Sequence, residues 1–166
     1  MNPLSQHSSK LRTPTRHRTR RLLTTGLLIL GLLAPGLLQL SAAPEAEKIL
    51  GTWTVSDGSM KIEIVKCQGD RFCGRIAWMK DPNTPAGQPR VDALNPNPKK
   101  RSVSLLGMEV LWGLRFENGK WVKGQIYDIA DGKTYKCAIQ QSDPAKLQVQ
   151  SFVGIAALGK TRTWTR

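Results

Sequence analysis

The stretch "EVLWGLRFENGKWVKGQIYD" (109–128) decides the fold, because it reads as a complete β-hairpin. Asn118 and Gly119 both tolerate the positive φ angles of a two-residue turn, and this dipeptide between strand-like runs is a strong hairpin signal. The short turn also fixes the register, so we expect Phe116 to face Trp121 across the two strands.

The hairpin also predicts which side chains point inward. Alternation along the first strand and the register to the second place one apolar and aromatic set on a single face, namely Val110, Trp112, Leu114, Phe116, Trp121 and Tyr127. We interpret this face as the interior. The opposite parity is also possible, because Val122, Gly124 and Ile126 would make an apolar interior too.

The rest of the chain beyond residue 50 repeats this pattern of short strands and turns. Six further strand-like runs occur at 51–55, 59–67, 72–79, 133–140, 147–154 and 160–166. One long connection, 80–102, holds five of the ten prolines and is therefore no central strand. An antiparallel meander of eight short strands avoids open edges by closing on itself. We predict an all-β, eight-stranded up-and-down barrel over residues 44–166.

The first 43 residues predict a secretory signal peptide. A basic, acid-free head (1–21) precedes the Leu-rich run "LLTTGLLILGLLAPGLLQL" (22–40), and Ser-Ala-Ala follows. A membrane anchor is the alternative, but glycines and a proline interrupt the run. "TRRLL" (19–23) leaves both general secretion and twin-arginine export open. We expect a periplasmic or secreted protein.

The positive net charge of the chain says less about its binding partners than its size suggests. The net charge of +13 falls to +7 when the six basic residues of the head are set aside. That balance favours anionic surfaces. The basic residues are scattered, however, and they lack the interleaved aromatic residues of an RNA-binding motif, so we expect no nucleic-acid partner.

Cysteine spacing predicts one disulfide in an exported chain. Cys67 and Cys73 flank the turn "QGDRF" (68–72), where a bridge can join two hairpin strands, whereas Cys137 falls among apolar positions and is expected to be a buried thiol. Both histidines lie in the first 21 residues. We therefore predict no metal site, no cofactor and no catalytic residue in the barrel.

Two terminal motifs resemble the calycin superfamily, which includes lipocalins and fatty-acid-binding proteins. "GTW" (51–53) opens the first strand, and the last strand carries Arg162 and Arg166. The resemblance implies that Trp53 closes one end of the barrel and that a late arginine packs over it. We assign Arg166 to this structural role, and Arg162 remains a candidate anchor for an acidic ligand group.

A second resemblance covers nearly the whole chain beyond residue 50. The motifs "GTW", "CGRIAWM" (73–79), "DGKTY" (131–135) and "VGIAALGKTRTWTR" (153–166) are similar to the bacterial family known as domain of unknown function 2147. The residues Asp92, Asn95, Pro96 and Arg101 belong to the same pattern. This resemblance implies export and a lipocalin-like fold and assigns no activity.

These observations give a set of candidate site residues. We expect the cavity to be lined by Trp112, Phe116, Trp121, Tyr127, Tyr135 and Arg162. Three residues of the long connection are candidates for contact with a ligand or partner, because loops on rigid scaffolds often carry function: Asp92, Asn95 and Arg101. The same residues could instead cap turns and hold the connection in place.

The leading hypothesis is an exported carrier of a small amphipathic or apolar ligand. The alternative is an envelope interaction module, in which side chains fill the barrel and the Pro-rich connection and basic surface bind a protein or anionic glycolipid. A calycin-type enzyme is the third possibility, and we expect a binding protein rather than an enzyme. A cavity of a few hundred Å³ distinguishes the first hypothesis from the second.

Overall fold

The computed structural model describes residues 44–166, and the predicted signal peptide lies outside them. A short 3₁₀ helix, Glu45–Ile49, leads into eight strands: β1 (Gly51–Thr54), β2 (Met60–Cys67), β3 (Arg71–Met79), β4 (Glu109–Glu117), β5 (Lys120–Asp128), β6 (Lys133–Asp143), β7 (Lys146–Phe152) and β8 (Lys160–Thr165). Two further 3₁₀ turns, Pro98–Lys100 and Ala156–Leu158, lie in connections.

Each strand pairs antiparallel with the next, and β8 returns to β1, so the sheet closes into a barrel. The predicted all-β, eight-stranded up-and-down barrel is therefore confirmed. The 3₁₀ helix and the β2–β3, β4–β5 and β6–β7 turns share one end, which we call the closed end. The β1–β2, β3–β4, β5–β6 and β7–β8 connections share the other, which we call the open end. Among residues 44–166, no helix combines the length and apolarity needed to cross a bilayer.

The hairpin that decides the fold has the predicted register. Phe116 pairs with Trp121 and Trp112 with Gln125. The turn residue Asn118 has a φ of 51° and Gly119 one of 77°, as a primed turn requires. The predicted bridge between Cys67 and Cys73 is also formed, at a Cα–Cα distance of 5.8 Å.

From the middle of the hairpin towards the open end, the predicted inward face is wrong, because β4 and β5 each contain one extra residue there. Between Phe72 and Gly74 of β3, β4 advances three residues, from Leu114 to Leu111, and Gly113 adopts a φ of 76°. Strand β5 likewise advances three residues against two of β6, and Lys123 adopts a φ of 61°. A β-bulge shifts the side-chain alternation by one position.

The two bulges match each other, so the register between β4 and β5 survives while both strands exchange faces. Towards the closed end Leu114 and Trp121 are buried. Towards the open end the inward row contains Leu111, which pairs with Ile126, whereas Trp112 lies in the row of the exposed Gln125.

Candidate functional site

The closed end is sealed by two tryptophans that hold the 3₁₀ helix. The indole Nε1 of Trp53 donates to the carbonyl oxygen of Ile49 at 2.8 Å. The indole Nε1 of Trp121 donates to the carbonyl oxygen of Ala46 at 3.0 Å. Both indoles are almost fully buried. Because a buried indole N–H needs an acceptor, these bonds fix the helix across the end of the barrel.

Arg166 completes this seal from the other terminus of the barrel. Its guanidinium carbon lies 4.1 Å from the centre of the Trp53 ring, a cation–π arrangement. The guanidinium nitrogens donate to the carbonyl oxygens of Pro144 at 2.9 Å, Lys48 at 2.9 Å and Leu50 at 3.4 Å. Arg166 therefore covers the Trp53 ring and joins the end of the chain to the 3₁₀ helix.

Three of the aromatic residues predicted to line a cavity do not do so. Trp121 belongs to the seal, and Phe116 packs against it with ring centroids 5.1 Å apart. Trp112 lies beyond the bulges on the outer face, where it borders the same groove as Cys67 and Cys73. The prediction for Trp112, Phe116 and Trp121 is corrected because the bulges redirect the first and the seal uses the other two.

A cavity of about 290 Å³ remains at the open end, and we call it the mouth cavity. Its floor consists of buried or half-buried apolar side chains, among them Ile62, Ile76, Ile126 and Trp164. Its rim carries polar groups, among them Asp57, Asp128, Tyr135, Ser151 and Arg162. Such an apolar floor with a few polar groups is the usual composition of a small-molecule site.

One ion pair spans the rim of the mouth cavity. The Arg162 guanidinium lies 3.4 Å from a carboxylate oxygen of Asp128, and half of its side-chain surface is exposed. At that distance the bond is long and single, so the planar guanidinium keeps donors for a further acceptor. Arg162 can thus bind an anionic group without leaving Asp128.

Tyr135 contributes a second polar contact beside Arg162. Its hydroxyl donates to the Asp131 carboxylate at 2.5 Å. This hydrogen bond lowers the pKa of Asp131 and raises the pKa of Tyr135. At the opposite side of the rim, hydrogen bonds from Ser59 lower the pKa of Asp57. Asp57 and Asp131 are therefore charged at neutral pH.

The long connection is fastened to the barrel through a buried carboxylate. Asp92 is only 2% exposed, accepts from the Tyr127 hydroxyl at 2.7 Å and accepts from the Asn95 amide at 2.6 Å. Arg101 in turn donates to the carbonyl oxygen of Asn95 at 2.9 Å. Burial, and then the bond to Asp92, raises the pKa of Tyr127 to about 12.

This network changes the picture of four predicted residues. Tyr127 borders the mouth cavity, but its hydroxyl already donates a hydrogen bond to Asp92. Asp92 and Asn95 hold the connection together and to the barrel, whereas Arg101 is exposed and uses only its Nε in this network. The contacts of Tyr127 with Asp92, of Asn95 with Asp92 and of Arg101 with Asn95 all serve to hold the connection in place.

The free thiol plays no part in the rim. Cys137 is buried, and burial raises its pKa to about 12. Because only the thiolate is a good nucleophile, this cysteine is unreactive at neutral pH.

The sequence reasoning missed several residues of the mouth cavity. Asp128 is one of them: it follows Ile126 by two positions and so shares its inward face. Trp164 is another: it lies two positions after Arg162 in β8, so both side chains point inward. The alternation rule could have found both residues once the parity was known.

Comparison with known proteins agrees with this architecture. Protein HP1028 of Helicobacter pylori, described as belonging to the lipocalin family, is similar in structure with a TM-score of 0.61 and 27% sequence identity. The match covers 70% of this chain and 81% of HP1028. A search among curated proteins finds no match. Residues 51–166 match the family described as "Uncharacterized protein conserved in bacteria (DUF2147)", and the chain therefore belongs to the DUF2147 family.

Proposed function

We propose that this protein is an exported binding protein for a small amphipathic molecule, which it holds in the mouth cavity. One observation carries the proposal: a cavity of about 290 Å³ with an apolar floor and a charged rim lies at the open end of the barrel. The described lipocalin membership of HP1028 supports a ligand-binding role for a barrel of this shape.

The size of the cavity limits the ligand. Small-molecule sites usually have volumes of roughly 300–1,000 Å³, and the mouth cavity lies at the lower limit of that range. Its apolar floor suits a short hydrocarbon or a single ring, while the larger part of a long lipid would stay outside.

The rim favours an anionic group on that ligand. Arg162 is the cationic group of the cavity lining, and guanidinium pairs bidentately with carboxylate or phosphate. The nearby carboxylates of Asp57 and Asp128 disfavour multiple negative charges, because they repel them. We therefore propose a ligand with one negative charge, bound by Arg162 above the apolar floor.

Export is supported by two features of the chain. The amino-terminal 43 residues have the composition of a signal peptide. The disulfide between Cys67 and Cys73 is typical of proteins in oxidising compartments such as the periplasm. We propose a periplasmic or secreted location.

Native mass spectrometry of the protein purified from its own envelope tests the proposal. We expect a reproducible co-purifying mass in the small-molecule range. Titration with decanoate, a single-chain carboxylate, then tests the anchor through the change in intrinsic tryptophan fluorescence, to which Trp164 in the cavity floor contributes. We expect Arg162→Gln to weaken decanoate binding roughly tenfold, which corresponds to about 1.4 kcal/mol.

Arg115→Gln is the matched control, because Arg115 is an exposed arginine of β4 outside the mouth cavity. It should bind decanoate like the wild type. A bare mass from gentle preparations, together with equal decanoate binding by both variants, would refute the proposal.

A further inference from the structure

The connection between β7 and β8 exposes three large aliphatic side chains. Val153 is 76% exposed, Ile155 66% and Leu158 83%. All three lie within six consecutive residues, 153–158, which we call the apolar loop. Single exposed hydrophobic residues are normal, but a contiguous exposed group marks a surface that binds something.

Exposed hydrophobic residues are concentrated at the same end of the barrel. Among residues 44–166, nine large hydrophobic side chains are classed as exposed. Two of them, Val65 and Trp78, lie on strands. The other seven belong to open-end connections: Val91, Leu94, Val103, Leu106 and the three of the apolar loop. The open end is thus the apolar end of the molecule's surface.

Positive charge surrounds the apolar loop. Lys160 follows it after Gly159 and pairs with Ser151, while Lys136 pairs with Phe152 at the end of the preceding strand. Both lysines are exposed. No acidic residue occurs from Pro144 to Arg166, so the two strands that carry the loop contribute only positive charge, and Asp131 of the β5–β6 connection offsets part of the charge of Lys160.

We propose that the apolar loop inserts into the surface of an anionic lipid bilayer, with Lys136 and Lys160 at the level of the headgroups. An anionic bilayer presents negative charges above an apolar layer. The loop presents the complementary order, aliphatic side chains at the tip and cations behind them. None of residues 153–158 lines the mouth cavity, so this inference holds whether or not the cavity carries a ligand.

Vesicle flotation tests this docking. The protein used is residues 44–166, because all eight strands and the closure of the barrel lie within them. The probes are vesicles of phosphatidylcholine with one quarter phosphatidylglycerol, and vesicles of phosphatidylcholine alone. We expect the protein to float with the anionic vesicles, to float poorly with the neutral ones, and to be released as salt screens the charges.

Two variants separate the apolar and the charged contributions. Replacing Val153, Ile155 and Leu158 together by Ser should reduce partitioning at least tenfold on anionic vesicles. The double variant K136Q/K160Q should reduce it on anionic vesicles only, by roughly fivefold for each lysine.

Matched controls come from the barrel wall and the closed end. Val65→Ser removes an exposed aliphatic side chain from a strand, and Lys120→Gln removes an exposed lysine beside the β4–β5 turn. Both should partition like the wild type. Circular dichroism must show that every variant keeps the barrel spectrum.

Three outcomes would overturn the inference. The wild type could stay at the bottom of the gradient with anionic vesicles. The triple serine variant could float as well as the wild type. Light scattering could instead reveal a dimer that the triple serine variant abolishes, which would assign the apolar loop to contact with a second copy of the chain.

Discussion

The closed and open ends of the barrel are held by different kinds of contact. At the closed end, two buried indoles and one guanidinium donate to backbone carbonyls of the segment from Ala46 to Leu50 and of the β6–β7 turn. At the open end, the Tyr127–Asp92 hydrogen bond fastens a long connection, and the apolar side chains of the apolar loop face solvent.

Because of this difference, we assign stability mainly to the closed end of the barrel and the proposed binding to the open end. The Arg166 bonds to Lys48 and Leu50 join residues 118 and 116 positions apart, so they form only when the whole barrel has closed. At the open end, the ion pair between Asp128 and Arg162 joins residues only 34 positions apart and borders the mouth cavity. We expect damage to the closed end to unfold the protein and damage to the open end to alter its binding.

Deleting residues 162–166 should have the largest effect. The deletion removes most of β8 together with Trp164 and Arg166, so β7 and β1 lose the strand that joins them. We expect no cooperative thermal transition by circular dichroism. The serine-substituted apolar loop is the control, and it should melt like the wild type. A truncated chain that melts cooperatively at the wild-type temperature would contradict the role of the closing strand.

Trp53→Ala should cost about 3–5 kcal/mol of the free energy of unfolding, because it leaves a cavity in the seal and frees the Ile49 carbonyl. Urea denaturation followed by circular dichroism measures the loss. Trp78→Ala is the matched control, since Trp78 is 43% exposed on the barrel wall, where the Lys61 ammonium lies 5.4 Å from its ring centroid. It should cost less than about 1 kcal/mol. Equal losses would mean that the closed end is no stronger than the wall.

Tyr127→Phe should cost about 1–3 kcal/mol at neutral pH, because it removes one of the two side-chain donors of the buried Asp92 carboxylate and leaves only the Asn95 amide. The folded-state pKa of Tyr127 is raised from 10.0 to about 12, so its contribution is complete below pH 10 and is lost as pH rises towards 12. Urea denaturation at several pH values should show a smaller alkaline loss of stability for the variant than for the wild type.

Tyr135→Phe is the matched control for this pH dependence. Tyr135 also donates to a carboxylate, but its partner Asp131 is exposed and can be solvated instead. We expect little or no change in stability. An unchanged alkaline profile for Tyr127→Phe would show that the contact with Asp92 does not fasten the connection.

The fold could be predicted because local rules determine most of it. Asn118-Gly119 fixes one hairpin and its register, and the spacing of Cys67 and Cys73 fits a bridge across another. Alternation and turn residues then supply the remaining strands, and closure follows from the need to pair both edges.

The site was harder to predict because it depends on two residues that break the alternation. Gly113 is a recognisable signal, since glycine adopts a positive φ at no steric cost. Lys123 adopts a positive φ with no such signal. The contact between Tyr127 and Asp92 joins residues 35 positions apart, and no local pattern links them. The sequence identifies Tyr127 and Asp92 as candidate site residues, but it does not predict that they contact each other.

The two bulges also determine which deletions in β4 and β5 keep the register between these two strands. Removing Gly113 alone would shift the upper half of β4 by one residue against β5 and bring Leu111 opposite Gln125. Removing Lys123 as well would restore the pairing of Leu111 with Ile126. Gly113 and Lys123 therefore act as compensating insertions, each tolerable only in the presence of the other. In the DUF2147 family, a relative that lacks one of these residues should lack both.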